Sequence, residues 1–426
     1  MDGFARRALL IGVLTAALLA LGVADASAVI VHVDGKTLSY TPLPASVQSA
    51  SPLAKRGAKP GHSFPLEYHG GPVMPANTNY PLYWDPSGAP AYPAGYESGL
   101  NKYFEDLAHD SGGEQNTDSV LTQYGDSSGE FANYNAHFGG AILDTDPYPA
   151  NGCTAAPICL TDEQLQTELK KYLAAHKLPT DLEHEYFMLT PPGVESCFDA
   201  AGHECSAGTK HAAYCAYHGD ISVGGGVIVY AEDPYVDGLG CDIGEEHPNE
   251  NPSDATIGGG LSHEHSESVT DPELDAWFDR NGEEVGDKCR TFVEATEFGE
   301  PLGKAPDGAK YNQLIDGDEY WYQQEWSNAT ESCQQRLQPP PPTVTHVAPK
   351  KGPLAGGTTV TIKGTNFTAS ATVDFGASPA LEVTVNSSGT ITAVSPPGTA
   401  GTVDITVTTA AGTSAVTKKD HFKYKK

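Results

Sequence analysis

Five residues with the chemistry of a cation site fall within nine positions of one another. They are His263, Glu264, His265, Glu267 and Asp271, in the stretch Leu261-Ser-His-Glu-His-Ser-Glu-Ser-Val-Thr-Asp-Pro272, which reads as one helix ended by its proline. His263 and Glu267 are four apart, so on a helix they share a face and can close on one metal ion. Asp271 stands one turn further along that stripe. Glu264 directly follows the first ligand, a place from which a carboxylate can take the proton of a metal-bound water. A histidine with two carboxylates and one open position suits Zn²⁺. Where the common H-E-x-x-H spacing has a second histidine this chain has Glu267, so the motif specifies a cation helix more firmly than a reaction.

A third ligand must come from elsewhere. Asp287 is expected, because Glu284-x-Gly-Asp287 lies on a turn-rich return segment; Asp271 and His218 are the alternates. An oxygen-only set drawn from Glu267, Asp271 and Asp287 would instead hold Ca²⁺ as a structural staple. His218 reads first as a packed histidine whose ring N–H meets a carbonyl, and second as a ligand or substrate contact. Trp277, Trp321 and Trp326 read as core, with a sugar-stacking groove as the rival. The chain has no G-x-S-x-G elbow and no G-x-x-x-x-G-K-[ST] phosphate loop.

The elements that must position this helix are legible around it. A strand over residues 226–230 precedes it, Asp254 is its expected N-cap, and Gly258-Gly-Gly260 permits close backbone approach. Residues 80–84, 141–143 and 186–190 read as further strands, and Tyr96, Leu100, Tyr103, Phe104 and Leu107 fall at helical spacing. Thr161 opens a helix, with Gln164 at the capping-box position and Leu165, Leu169 and Leu173 as its apolar stripe. Strands alternating with helices predict an α/β (α+β) domain over residues 63–338, metallopeptidase-like in setting a ligand helix after a strand.

At the N-terminus, Arg6 and Arg7, an apolar run and Ala26-Ser27-Ala28 form a secretory signal over residues 1–28, so the chain is expected to be exported. No later stretch is apolar enough to span a membrane. Residues 29–40 read as a hairpin around Asp34-Gly35, and residues 41–62 as a linker or cleavable pro-segment. Export makes disulfides the default for the 8 cysteines, and sequence neighbours pair as Cys153–Cys159, Cys197–Cys205, Cys215–Cys241 and Cys289–Cys333. The net charge of −30 is unevenly spread: residues 341–426 carry about +4, so residues 29–340 carry about −34. That field excludes nucleic acid and favours cations or cationic partners.

Residues 339–342 are four prolines, a stiff linker. Beyond them, alternating runs at 359–363, 371–375, 390–394 and 403–408, split by Gly, Pro and Asn turns, predict a β-sandwich over residues 343–426. Its motif residues are Val347-x-Pro349, Gly352-Pro-x-x-Gly356-Gly-Thr-x-Val-Thr-Ile-x-Gly364-Thr-Asn-Phe367, Val373-x-Phe-Gly376, Ser395-Pro-Pro-Gly398, Gly401-Thr-Val-x-Ile-x-Val407 and Phe422-x-Tyr424. This segment resembles the IPT/TIG domain, which implies an immunoglobulin-like fold and, in an exported protein, a spacer, adhesion or carbohydrate-contact role.

Residues 66–333 resemble bacterial relatives of the plant EXORDIUM-like (phosphate-induced) secreted proteins. The likeness rests on Tyr68-His-Gly-Gly-Pro-Val73, Cys215-x-Tyr-His218, Ser262-His-Glu-x-x-Glu267-x-Val-Thr-Asp-Pro272, Ala276-Trp277, Glu284-x-Gly-Asp-x-Cys289 and Glu325-Trp-Ser-Asn328. It implies a fold and a cation site rather than a particular reaction. Two functions are therefore expected. One is a zinc-dependent peptidase or hydrolase with His263, Glu267 and Asp287 as ligands and Glu264 as base. The alternative is a non-catalytic cell-surface binding or adhesion protein with a structural calcium site and a polypeptide or cell-wall glycan as ligand.

Overall fold

Side-chain alternation along five strands sets the architecture of the larger part of the chain. A computed structural model describes residues 30–33, 35–44, 64–241, 246–337, 342–367, 371–387, 389–409 and 412–426. The chain separates into two units, Met1–Gln335 and Arg336–Lys426. The expected signal (1–28), most of the expected linker (45–62) and Pro339 to Pro341 lie outside the described residues.

In the first unit an 11-stranded mixed sheet runs in the order Ala136–Phe138, Asn77–Trp84, His184–Thr190, Gly226–Pro234, Ala212–Val223, Cys205–Ser206, Val194–Cys197, Ile158–Thr161. The strands Asn77–Trp84, His184–Thr190 and Gly226–Pro234 are mutually parallel. Ala212–Val223 then returns antiparallel to Gly226–Pro234 through the glycine turn at 224–225. Lys36–Pro42 pairs antiparallel with Ala212–Val223, placing Ser39 opposite His218 and Thr41 opposite Ala216. The strict helix–strand alternation expected thus gives way, at the centre of the sheet, to a hairpin.

Period-2 patterning gives the sheet two different faces. Leu82, Trp84, Tyr186, Met188, Tyr217 and Tyr230 pack on one side with Leu165, Leu169 and Leu173 of the helix Asp162–His176. That helix starts as its sequence requires, with Thr161 and Gln164 satisfying each other's backbone N–H groups. On the other side, Tyr83, Phe187, Leu189 and Ala231 meet Leu100, Tyr103, Phe104 and Leu107 of the helix Tyr96–His109, together with Ile257 and Leu261. The strand Lys36–Pro42 follows the same rule: Leu38 and Tyr40 join the first core, which turns Ser39 and Thr41 toward the second side. Residues 41 and 42, assigned to a linker by composition, therefore extend a core strand. Pro42 fits at its end because it has no ladder N–H to lose there.

All four neighbour pairs of cysteines are bonded: Cys153–Cys159, Cys197–Cys205, Cys215–Cys241 and Cys289–Cys333. The tryptophans pack as the core reading expects. Trp321 stacks on Phe298 and Trp326 lies under Lys288, both tryptophans buried, while the indole N–H of half-buried Trp277 donates to the Gly125 carbonyl.

In the second unit, a four-stranded sheet (Thr343–Ala348, Thr359–Thr365, Thr390–Val394, Glu382–Ser387) and a six-stranded one containing Gly401–Thr409 and His421–Lys425 share a core of Val347, Val360, Ile362, Phe375, Ile391, Ile405, Val407 and Phe422. Gly356, Gly357, Gly376 and Asn366 all take positive φ at its turns.

Candidate metal centre

The helix that carries the motif is reached through an unusual lead-in. An α-turn Ser253–Thr256, a π-turn Ile257–Leu261 and the α-helix Ser262–Thr270 follow one another directly. π-turns are rare and concentrate at functional sites. Asp254 is the second residue of this run rather than its N-cap. Its carboxylate accepts the backbone N–H groups of Asn249 and Asn251, fixing the preceding turn. The glycines serve packing: a Cβ on Gly260 would stand 2.6 Å from the Ala216 Cβ, so only glycine lets the run lie against the strand Ala212–Val223.

Every residue of Ser262–Thr270 is buried, although six of the nine are Ser, Thr or His and two are Glu. A charged or polar helix in that position must find partners on every side. At 100° per residue it presents three faces.

The first face carries His263 and Glu267. His263 Nε2 lies 3.0 Å from Glu267 Oε1 and 3.3 Å from Asp287 Oδ1, and the three ligand atoms sit within 4.8 Å of one another. Asp287 is held in place by its neighbours: its backbone N–H donates to Glu267 Oε1, and its Oδ2 accepts from the Glu284 N–H. The tautomer of His263 follows from its other nitrogen. Gln323 donates its amide N–H to the Gly286 carbonyl and so turns its oxygen to His263 Nδ1 at 3.1 Å. Nδ1 therefore bears the proton, and Nε2 is aimed at the two carboxylates, the arrangement that orients metal-ligating histidines. His263 Nε2, Glu267 Oε2 and Asp287 Oδ1 have no hydrogen-bond partner among the described residues.

The second face carries Glu264, which is fully buried. Its Oε1 accepts both the backbone N–H and the hydroxyl of Thr41, and its Oε2 accepts from His218 Nδ1 at 2.9 Å. The expected base is thus an acceptor of three hydrogen bonds. His218 meets a side-chain carboxylate where a carbonyl was expected. Its Nε2 points at Glu284 Oε1, 3.8 Å away.

The third face carries His265, counted among the five cation-type residues but assigned no ligand position. Its Nδ1 meets Glu185 at 2.9 Å, and its Nε2 lies at ion-pair distance, 3.4 Å, from Asp118. Burial opposes its charge, but the two acids lift its pKa to about 10. The geometry places it as the ion-pair partner of these two acids, apart from the His263 cluster.

Asp271 ends the helix. Its Oδ1 accepts the N–H groups of Asp275 and Ala276, which builds the turn that follows, and burial raises its pKa to about 7. The oxygen-only trio of Glu267, Asp271 and Asp287 is therefore not what this geometry gathers around His263.

Negative charge dominates the interior. Burial drives Asp287 and Glu284 well above the usual carboxylate range, and Glu267 pushes both the same way. Burial acts likewise on Glu267, yet the His263 imidazole holds it below its ordinary value. The buried cations nearby are otherwise engaged: Arg290 pairs with Glu297 and Lys288 with Asp279. Sequence reasoning missed Glu284, Thr41, Gln323 and Glu185. Glu284, three residues before Asp287 on the same turn, was within reach; the others come from strands and turns remote in sequence.

No curated protein sequence matches this chain. Among solved structures, it is similar to the Plexin A4 full extracellular region (21% identity, TM-score 0.19, covering 26% of this chain and 11% of that one). It is also similar to SGBP-B from a complex xyloglucan utilization locus in Bacteroides uniformis (27%, 0.18, 21% and 25%). A third is the Gamma-CGTASE from Alkalophilic bacillus clarkii (22%, 0.18, 28% and 17%). The chain spans a quarter or less of the length of each. Among the described residues no helix is long and apolar enough to cross a membrane. A family model matches the two-sheet unit, and residues 342–424 of this chain are an IPT/TIG domain.

Proposed function

We propose that this chain is an exported, non-catalytic binding protein in which an α/β domain built around a structural divalent cation accompanies an IPT/TIG module. Its ligand class is a cell-wall glycan or a polypeptide. The state of Glu264 carries this reading: fully buried and accepting from Thr41 twice and from His218, it is tied up in orienting a histidine. Four disulfides and the signal-like residues 1–28 support export. The imidazole at the site favours Zn²⁺ over the calcium expected for a structural role, since calcium takes oxygen ligands. The likeness of residues 66–333 to EXORDIUM-like proteins rests on its motif residues alone.

One observation favours a second reading, a zinc-dependent peptidase of metallopeptidase-like fold. His263, Glu267 and Asp287 supply three ligands and leave a fourth position, with Glu264 one residue from the first. Elemental analysis of the dialysed protein, followed by a peptide-library digest, separates the two. Bound zinc whose removal lowers the melting temperature, with no cleavage, supports the binding protein. Cleavage that disappears in a zinc-loaded Glu264→Gln variant overturns it in favour of the hydrolase.

A further inference from the structure

We infer that the first unit holds a second divalent cation, between His218 Nε2 and the Glu284 carboxylate, with Glu267 bridging it to the ion at His263. This rests on the reading of a cation at His263, Glu267 and Asp287, and goes beyond it by a second ion.

The argument starts from atoms that burial should not leave bare. His218 Nε2, both oxygens of Glu284, Glu267 Oε2 and Asp271 Oδ2 have no hydrogen-bond partner among the described residues, and all four side chains are buried from solvent. An unpaired buried carboxylate or imidazole is costly, so several meeting at one point imply a group that satisfies them together. Ligand atoms of His218, Glu267 and Glu284 lie within 4.8 Å of one another, as do those of the set at His263. The 3.8 Å from His218 Nε2 to Glu284 Oε1 is too long for a hydrogen bond. It does match the separation of two ligands on one ion with bonds of about 2.0–2.2 Å.

The tautomer agrees. Because Nδ1 of His218 donates to Glu264, Nε2 offers its lone pair toward Glu284. His263 is prepared in the same way by Gln323, so the two histidines look alike in their outer contacts. Glu267 has one oxygen toward each histidine: Oε1 is 3.0 Å from His263 Nε2, and Oε2 faces the His218 ring, 3.7 Å from its Nδ1. A carboxylate shared between ions roughly 3.5–4 Å apart is the usual bridge of two-metal sites.

The test is metal stoichiometry of the full chain after zinc loading and desalting, read by mass spectrometry. The wild type is expected to carry two zinc ions, and Glu284→Gln one. A single zinc in the wild type, or two retained in Glu284→Gln, overturns the second site and leaves the first standing. No zinc at all overturns both. Should Glu284→Gln fail to fold, anomalous diffraction at the zinc edge from wild-type crystals decides: two peaks within about 4 Å support the pair, and one peak overturns it.

Discussion

His218 and Glu264 are joined by a 2.9 Å hydrogen bond between the strand Ala212–Val223 and the motif helix, and Thr41 of a third segment holds the far oxygen of the same carboxylate. The residue whose spacing marks it as a base is thus the residue that fixes a histidine's tautomer. A Glu264→Gln substitution keeps the volume but takes away one of the two acceptor oxygens. Zinc affinity should fall about 10–100-fold, as for other outer partners of ligating histidines, when measured by competition with a chromophoric chelator. Unchanged affinity would remove Glu264 from the support of the site.

His265 should matter to folding and not to metal. His265→Gln leaves Glu185 and Asp118 buried without their shared cation, a loss of about 3–5 kcal/mol for a broken buried ion pair. Urea unfolding of the zinc-loaded protein measures it. A cost below about 1 kcal/mol, or a drop in zinc stoichiometry in the folded variant, would show the assignment to be mistaken.

Acid should stabilise the first unit through Glu232 and Asp233. Burial raises both well above the ordinary carboxylate range, with Asp233 adding to the rise of Glu232, and Glu264 and Glu185 to that of Asp233. A carboxyl group whose pKa is higher folded than unfolded binds its proton more tightly in the folded state. Its contribution is complete below the unfolded value of about 4 and is lost as pH rises above it. Glu232→Gln stays neutral throughout, so it should melt about 2–4 °C above wild type at pH 7 and close to wild type at pH 4. Equal shifts at both pH values would mean that ionisation is not the cause.

Two adjacent glycines of the IPT/TIG unit should respond unequally. Gly356 (φ 75°) and Gly357 (φ 79°) both sit where L side chains are strained, but a Cβ on Gly356 would come within 2.5 Å of the Pro396 carbonyl carbon, while one on Gly357 meets open space. Gly357→Ala should cost about 1 kcal/mol, and Gly356→Ala distinctly more. Denaturant unfolding of the two variants gives the comparison, and equal costs would discount the contact with Pro396.

By itself the sequence determined what depends on neighbours along the chain. The capping box at Thr161, the i and i+4 pairing of His263 with Glu267, the four cysteine pairs and the alternating strands of residues 342–424 are all local patterns. Asp287 also came within reach, because a short turn-rich return brings it back to the helix that precedes it. Tertiary structure decided the rest. Sheet pairing, not proximity in sequence, set Thr41 beside Glu264 across 223 positions and His265 beside Glu185 across 80. Composition made residues 41 and 42 look like linker, since one strand's alternation says nothing about which edge it will pair with. The roles of His218, Glu264 and His265 were undecided for the same reason. A buried ionisable group is defined by which charge or carbonyl lies opposite it, and that is fixed only when strands and helix close around one interior.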